Sequence, residues 1–543
     1  MNTMSIGVAA LRNATLALAT TSHNIANANT EGFRRQSVIF ANNQPLLTGS
    51  GFIGQGAQIL SVQRSYNQFL ERQLTQVDAQ SAYWQKKTAA LEQVNAILGD
   101  RTAGLSAALQ GFFASWSDLA NDPAGTETRQ GVLGAANTLV GTLNAQGSYL
   151  AGLQDGVNAE IGDMVTSIND YARKIAELNL RIGALQGASG HEVNDLLDQR
   201  DAALAQLNRL AGVSVVHNSD ADYSVFLGGH ALVLNDTVNP LAAQPSPFDP
   251  SRIEVYAGTT VLSRSGSVGG ELGALLDYRR ESLDAAQNAL GRIAFAVAQQ
   301  VNALHQSGKD LAGNPGGLFF ADPTALPQSY AASTNTGTGV LTATLANSAQ
   351  LTTSDYELSY DGTLYTLQRL SDGQTWSDAN LSTLTATAAQ GFTLSMSGTP
   401  AAGDRFLIRP TVAAATGLGV VVSAPDKIAA AAGSAAPGDI LDNSNALAIA
   451  ALGHDRSVIA GNNTFESAYG MWVNTVANET AAARSQGVVF DNLLQQAKAA
   501  QQAESGVNLD EEAANLMLYQ HYYQAAAQMI KVTNTLFETI LSL

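Results

Sequence analysis

The sequence predicts a multidomain α+β protein, in which long α-helical bundles or coiled coils, at the termini and in the interior, carry inserted β-rich outer domains. Apolar residues recur at helical spacing in long segments at both ends and in the middle of the chain. Two other segments alternate apolar with polar residues, or are rich in Thr, Ser and Gly, which favours strands. The 543 residues correspond to about three or four domains at roughly 100–200 residues each.

The composition excludes several classes of protein. Lys plus Arg total 28 and Asp plus Glu 46, so the formal charge is −18, and no nucleic-acid partner is expected. Cysteine is absent, which removes disulfides, thiolate nucleophiles and cysteine metal sites. No run of 18 or more apolar residues occurs, so no membrane insertion is expected. Residues 6–19 lack a preceding Lys or Arg and contain Arg12, which argues against a cleaved signal peptide.

The first element is predicted to be an amphipathic helix over residues 4–28. Its apolar row has a seven-residue spacing: Leu11, Leu18 and Ile25. Ala14 and Thr21 stand at the complementary positions of the same stripe. The helix is expected to end near residues 27–33, because Asn and Gly tolerate left-handed backbone angles.

Loops and short strands are predicted for residues 33–62, and two long helices follow. The first places one row on a single face: Leu70, Leu74, Val77, Ser81, Trp84, Thr88, Leu91 and Leu98. The second has the most regular 3/4 spacing in the chain: Ile161, Met164, Ile168, Tyr171, Ile175, Leu178, Ile182 and Leu185. Both patterns indicate members of a long bundle.

The apolar period then changes to two, which predicts a β-rich part over residues 212–270. A helix is expected over residues 272–305. Residues 321–424 are rich in Thr, Ser and Gly, and are predicted to form a separate β domain inserted between helical parts. A linker of small residues at 429–437 and helices over 465–504 complete the interior.

The last element mirrors the first. Its apolar row again has a seven-residue spacing: Leu509, Leu516, Tyr523, Ile530 and Phe537. A softer companion row is Ala513, Gln520, Ala527, Asn534 and Leu541. Asn508 is a suitable N-cap with Glu511 as its capping-box partner, which explains the acidic residues 510–512 better than an acid/base or calcium site does. Two weakly charged amphipathic termini indicate association, either with each other or with neighbouring subunits.

The residues give no signal for catalysis. Residues 49–54 match G-x-G-x-x-G, but a strand-like segment follows them, whereas the dinucleotide motif requires a helix there. The seven His residues form neither H-x-H nor H-E-x-x-H, and no G-x-S-x-G is present. No catalytic residue, cofactor-binding residue or metal ligand is therefore predicted.

Residues 22–36 resemble the N-terminal signature of flagellar rod, hook and hook-associated proteins. The positions that match the motif are Asn27, Asn29, Thr30, Gly32 and Phe33. His23 and Glu31 stand where relatives vary. This motif alone identifies only the superfamily of flagellar axial proteins.

Residues 505–512 resemble the C-terminal signature of the flagellar hook-associated protein 1 family. Residues 62–66 and 194–201 fit the same family, and the order and spacing of the motifs agree from end to end. The resemblance is weakest over residues 321–424. Together, the C-terminal run and residues 198–201 narrow the likeness to this family.

The resemblance implies a non-enzymatic structural protein that polymerises at the hook–filament junction of the bacterial flagellum, as an adaptor between hook and filament. It implies secretion through the flagellar type III export apparatus, with an uncleaved N-terminal signal. The implied partners are further copies of the chain, the hook protein, a second junction protein of the hook-associated protein 3 type and a flagellar export chaperone. The chaperone would bind near the C-terminus, with Leu516, Tyr523 and Ile530 as candidates.

In such an assembly the terminal helices would pair into an inner coiled-coil layer. Self-assembly would then use the two apolar rows, called here the terminal rows: Leu11, Leu18, Ile25, Leu509, Leu516, Tyr523, Ile530 and Phe537. The predicted domains are a terminal coiled-coil assembly domain (1–35 with 505–543), a helical bundle domain (36–211 with 271–320 and 428–504), a β-rich part (212–270) and an inserted β domain (321–427).

Three alternatives remain at the level of the sequence. A hook or rod subunit would share the N-terminal motif, although the run at 505–512 argues against it. A flagellum-associated wall hydrolase would require a pair of positioned carboxylates in a cleft. The inserted β domain could instead carry an adhesin-like binding function.

Overall fold

The computed structural model describes residues 3–30, 32–48, 51–98, 104–189, 193–219, 222–264, 268–436 and 439–542. Its α-helices are α1 (Thr3–Asn27), α2 (Gln68–Leu98), α3 (Leu105–Asn121), α4 (Thr126–Ser189), α5 (Asn194–Ala211), α6 (Gly270–Tyr278), α7 (Asp284–Ser307), α8 (Leu381–Ala388), α9 (Ala414–Gly417), α10 (Ser444–Ala451), α11 (Phe465–Ser505) and α12 (Leu509–Leu541). A π-helical turn, Arg279–Leu283, joins α6 to α7.

The strands pair only with antiparallel neighbours among the described residues. They are β1 (Gln36–Asn42), β2 (Leu46–Thr48), β3 (Gly51–Ile53), β4 (Ala57–Arg64), β5 (Ser214–Ser219), β6 (Asp222–Leu227), β7 (His230–Leu234), β8 (Thr237–Val238), β9 (Leu241–Pro245), β10 (Ile253–Ala257), β11 (Thr260–Val261), β12 (Gln328–Ala331), β13 (Val340–Leu345), β14 (Tyr356–Tyr360), β15 (Tyr365–Arg369), β16 (Thr375–Asp378), β17 (Phe392–Ser397) and β18 (Arg405–Arg409). The predicted α+β class, with long helices and small β parts, is confirmed.

The longest helix, α4, runs through the helical part, and several other elements pack against it. Its 64 residues span about 96 Å at 1.5 Å per residue. Most of the predicted row is buried, including Ile161, Ile168 and Ile175, and strands β7, β9 and β10 and helices α5 and α7 are among the elements that pack against α4. At the far end Leu185 is exposed, so the bundle ends before the periodic pattern does.

Two parts of the helical body differ from the prediction. The helix expected over 272–305 is interrupted by the π-helical turn, which places the buried Arg279 at the interruption. Residues 429–437, expected to be a linker, begin with buried alanines at positions 429–431. Ala429 donates its N–H to Nε2 of His305 at 2.9 Å. These small residues therefore pack into the core instead of separating domains.

The two β parts are built from small sheets. One sheet has the order β5-β6-β7-β8 and another β11-β10-β9. The second part, called here the outer β part, spans residues 328–409. It has a five-stranded sheet in the order β12-β18-β14-β15-β16, with β13 and β17 as a separate pair. Because β18 returns between β12 and β14, the end of this part lies beside its beginning.

A buried ionic cluster connects both β parts to the helices. Arg252, before β10, donates two hydrogen bonds to Asp284 of α7 at 2.9 and 2.8 Å. Arg409 of β18 donates to Asp355, before β14, at 3.2 Å. The cluster brings together Arg252, Arg279, Arg409, Asp249, Glu254, Asp284 and Asp355. Burial raises the pKa of Asp355, and the charge of Arg409 only partly offsets this.

Candidate assembly surface

The terminal helices α1 and α12 pack against each other along their length. The buried residues of α1 include Gly7, Ala14 and Thr21, which repeat every seven positions. The buried residues of α12 include Ala526 and Thr533, again seven apart. A Cβ at Gly7 would lie 2.9 Å from Cγ1 of Ile530, so the helices approach each other closely over small side chains.

The terminal rows flank this contact instead of forming its centre. On α1, the three residues Leu11, Leu18 and Ile25 are half-buried, and the expected companions Ala14 and Thr21 are buried. The row of small contacts is thus correctly placed on this helix.

On α12 the predicted rows do not coincide with the residues that are buried in the structure. Leu516 and Ile530 are half-buried, whereas Leu509, Tyr523 and Phe537 are exposed. The expected companion row starting at Ala513 is wrong by one position, since the buried residues of this helix are Glu512, Ala526 and Thr533. Further exposed apolar residues are Met517, Leu518, Tyr522, Met529, Val532, Leu536, Ile540 and Leu541. Six of these exposed residues share one face of α12 at helical spacing, and that face is apolar and uncovered: Leu518, Tyr522, Met529, Val532, Leu536 and Ile540.

The N-terminal motif forms the turn between α1 and β1. Asn27 accepts the N–H of Thr30 at its backbone oxygen (2.9 Å) and the Thr30 hydroxyl at Oδ1 (3.2 Å). Gly32 has φ +82°, a value that favours glycine. Phe33 meets the ring of His23 edge-on, with 5.3 Å between centroids. Asn29 is exposed, and Glu31 lies outside the described residues.

Beneath this turn lies an ionic network that joins three of the sequence motifs. Arg34 contacts Glu71 of α2 at 2.5 Å. Nη1 of Arg64 donates to Asp198 (2.8 Å) and Asp201 (2.6 Å) of α5. Burial alone would lower the pKa of Arg64, but Asp201 and Asp198 raise it above its usual value, so this guanidinium stays charged. The motif residues at 62–66 and 194–201, for which the sequence predicted no structural role, thus hold the turn that follows α1.

The fourth motif closes the same site. The N–H of Arg35 donates to the backbone oxygen of Ser505 at 3.0 Å. Asn508 caps α12, since its Oδ1 accepts the N–H groups of Asp510 and Glu511. Glu511 was expected to complete the capping box. Its Oε2 instead accepts a hydrogen bond from Nη1 of Arg35 at 2.7 Å. Arg35 also lies 3.3 Å from the buried Glu512. The start of α12 is therefore fixed to the end of α1 by charge.

The charged groups of this arrangement hold helices and turns together. Its carboxylates are engaged with guanidinium or backbone groups. Within the described ranges no group of three or more His, Asp or Glu side chains could hold a metal ion. Likewise, no described helix has the length and apolarity needed to cross a membrane.

Comparisons with known proteins agree with this geometry. Family profiles match residues 4–34 (flagella basal body rod protein), 91–320 (flagellar hook-associated protein FlgK helical domain), 330–410 (flagellar hook-associated protein 1, D2-like domain) and 501–543 (flagellar basal body rod FlgEFG protein C-terminal). Flagellar hook-associated protein 1 of Salmonella typhimurium is 34% identical over 98% of both chains. The chain belongs to the flagellar hook-associated protein 1 family. The Bacillus subtilis member is 24% identical, covering 97% of this chain and 95% of its own.

A solved structure supports the same assignment. The flagellar hook junction protein FlgK from Burkholderia pseudomallei has 28% sequence identity and a TM-score of 0.71, covering 79% of this chain and 99% of its own. As a member of the hook-associated protein 1 family, the protein is a structural component of the bacterial flagellum at the hook–filament junction. The alternatives of a rod subunit and a wall hydrolase are therefore wrong. The relatives are structural proteins.

Proposed function

We propose that this protein polymerises as an adaptor between hook and filament, and that the α1–α12 pair is its assembly element. The observation that carries this proposal is the uncovered apolar face of α12, in a helix whose other face is already paired. Contiguous exposed apolar patches on a folded chain mark interaction sites. Burial against neighbouring subunits would offset the entropy of ordering both termini.

The side of α12 that packs against α1 bears on the proposed chaperone. Leu516 and Ile530 are half-buried beside α1, whereas Tyr523 is exposed. An export chaperone that bound these three residues would have to displace α1 from α12. Chaperone binding and helix pairing would then exclude each other, which would keep the chain unassembled before secretion. The hook protein and a second junction protein of the hook-associated protein 3 type are the proposed neighbours in the finished structure.

The direct test is a strain that lacks the gene, observed by electron microscopy, with flagellin assayed in the medium. Complete hooks without filaments, together with flagellin lost to the medium, are the expected result. Normal filaments would overturn the adaptor function.

The assembly element is tested by complementing that strain with Tyr522→Asp and Leu536→Asp together. Both side chains are exposed, so the isolated fold should survive while filaments are lost. The matched control is Val340→Asp with Leu364→Asp, which replaces exposed apolar residues of the outer β part and should leave filaments intact.

A further inference from the structure

The hairpin formed by β2 and β3 exposes large apolar side chains. Its register places Leu46 opposite Ile53 and Leu47 opposite Phe52. Phe52 is 72% exposed and Leu47 67%. A hairpin with strands of three residues is marginally stable in water by itself. A cluster of exposed apolar side chains on such a hairpin is typical of an interaction site.

The chemistry of the segment limits the kind of partner. Residues 36–63 contain no Asp, Glu, Lys, Arg or His. Exposed strand edges are usually protected from pairing by charged residues, Lys above all, and this hairpin has none. Its partner should accordingly present an apolar surface with little charge.

The same chain has a groove of this character between α1 and β4. Its volume is about 530 Å³, and its lining is Met4, Ser5, Val8, Ala9, Arg12, Asn13, Ala57 and Gln58. Arg12 is the single charged residue in that lining. On a helix with 3.6 residues per turn, Met4, Val8 and Arg12 lie on a different face from Gly7 and Ala14, which are buried towards α12. The groove is thus open while α1 and α12 are paired.

The hairpin does not fill the groove of its own chain. None of its residues is part of the lining, although β4, which contributes Ala57 and Gln58 to the groove, begins four residues after β3 ends. The segment that joins the hairpin to β4 lies against α1. A Cβ at Gly56 would lie 3.2 Å from Cγ2 of Ile6. The side-chain amide of Asn13 donates a hydrogen bond to the backbone oxygen of Ala57 at 2.7 Å. Each copy therefore offers an apolar projection and a separate groove, half of whose lining residues are apolar (Met4, Val8, Ala9 and Ala57).

We propose that the β2–β3 hairpin of one copy inserts Leu47 and Phe52 into the α1–β4 groove of the next copy. A patch that complements a pocket elsewhere on the same molecule gives a head-to-tail contact, which generates rings or helical arrays. The contact is continuous with the assembly element, since α1 binds α12 on one face and receives the hairpin on another. This inference rests on the proposed function, because it needs copies that assemble.

The absence of native cysteine makes the contact measurable by disulfide trapping. The full-length variant with Phe52→Cys and Val8→Cys is expressed in the strain lacking the gene, and its flagella are isolated and oxidised. Non-reducing electrophoresis should show a ladder at multiples of the 56.5 kDa chain. The ladder should be at least tenfold stronger than for the control pair Phe52→Cys with Leu364→Cys, whose second site is an exposed residue of the outer β part.

The outcomes separate this inference from the function it rests on. Filaments without a ladder would overturn the hairpin contact and leave the adaptor function standing. A cross-linked band heavier by another protein's mass would show that the groove takes a different partner, which also overturns the proposal. If the cysteines impair folding, the neighbouring pair Leu47→Cys with Ala9→Cys repeats the test. Normal filaments in the strain without the gene would contradict the adaptor function itself.

Discussion

The side-chain amide of Asn24 makes two hydrogen bonds to the backbone of Gln36. Its Nδ2 donates to the oxygen of Gln36 at 2.8 Å, and its Oδ1 accepts the N–H of Gln36 at 3.0 Å. Asn24 is 1% exposed. These two hydrogen bonds satisfy both backbone groups of Gln36, as a neighbouring strand would. They fix the first residue of β1 to the last turns of α1.

The first prediction concerns this closure. Asn24→Ala leaves a buried N–H and a buried oxygen of Gln36 without their partner, at a cost of about 1–3 kcal/mol for each group. Amide hydrogen exchange at Gln36 should accelerate by at least tenfold. The control Asn29→Ala alters an exposed residue of the same turn and should leave that exchange rate unchanged. Equal protection in both variants would contradict the role of Asn24.

The second prediction concerns the close approach of the terminal helices. Gly7→Leu should separate α1 from α12, because a Cβ at this position already meets Ile530. Adding Ile530→Ala should restore part of the pairing, by a coupling of about 0.5–3 kcal/mol for residues in contact. Limited proteolysis of α1 reports the separation.

Gly111→Leu is the matched control, since no atom lies within 4 Å of a Cβ there. It should leave the protease resistance of α1 unchanged. If Gly7→Leu is equally silent, the two helices do not pack as described.

The third prediction follows from His305. Its Nδ1 lies 2.8 Å from the oxygen of Gly317, and its Nε2 accepts the N–H of Ala429. Burial lowers the pKa of His305, so the folded protein holds it neutral and the unfolded chain binds more protons below the unfolded pKa of about 6.5. Stability should therefore be complete above that pH, and fall as the pH drops towards the folded pKa.

Denaturant midpoints measured between pH 7.5 and 5 check the sign. The loss should not exceed about 1.4 kcal/mol per pH unit for this single proton. His305→Gln should flatten the profile relative to the control His454→Gln, which alters an exposed histidine. A profile that is unchanged by His305→Gln would place the acid sensitivity elsewhere.

The fourth prediction contrasts two members of the buried ionic cluster. Arg409→Met leaves the carboxylates of Asp355 and Asp249 without this guanidinium and should cost about 3–5 kcal/mol. Asp355→Asn keeps the shape of the site and removes the charge of a carboxyl group whose pKa is already raised by burial. This substitution should therefore lower the free energy of unfolding much less than Arg409→Met does. Thermal unfolding of the full chain compares them. A cost for Asp355→Asn as large as for Arg409→Met would show that the Asp355 charge is required.

The sequence predicted those elements whose apolar spacing is long and regular. α4 and α12 are such cases, and their periodic rows needed no knowledge of tertiary contacts. α3 was missed although Leu105, Phe112 and Trp116 are buried in it, because its shorter pattern stood beside two much longer ones. The inserted β part was recognised by composition, but its strand order depends on the return of β18, which no local pattern reveals.

The pairing of the two terminal helices was predicted in outline, but the residues at its centre were not. Large apolar residues carry the signal in sequence, so the terminal rows were drawn through Leu509 and Tyr523, which are exposed. The actual contact uses Gly7, Ala526 and Thr533, and small residues leave little periodic signal. The pairing of Arg64 with Asp198 spans 134 positions, and only the fold brings these charges together. The domain limits and the assembly role of the terminal rows stay predictions.

The contact between Gly7 and Ile530 also sets an order of events in folding. These residues stand near opposite ends of the chain. Helix α1 also contacts β1 and β4, but its partner α12 is absent until almost the whole polypeptide has been made. At about 5–20 residues per second, the helix waits for roughly 30–100 s. Closing so long a loop is entropically unfavourable until the intervening core has formed. The α1–α12 pair that the oligomer would use can therefore close only after nearly all of the chain is available.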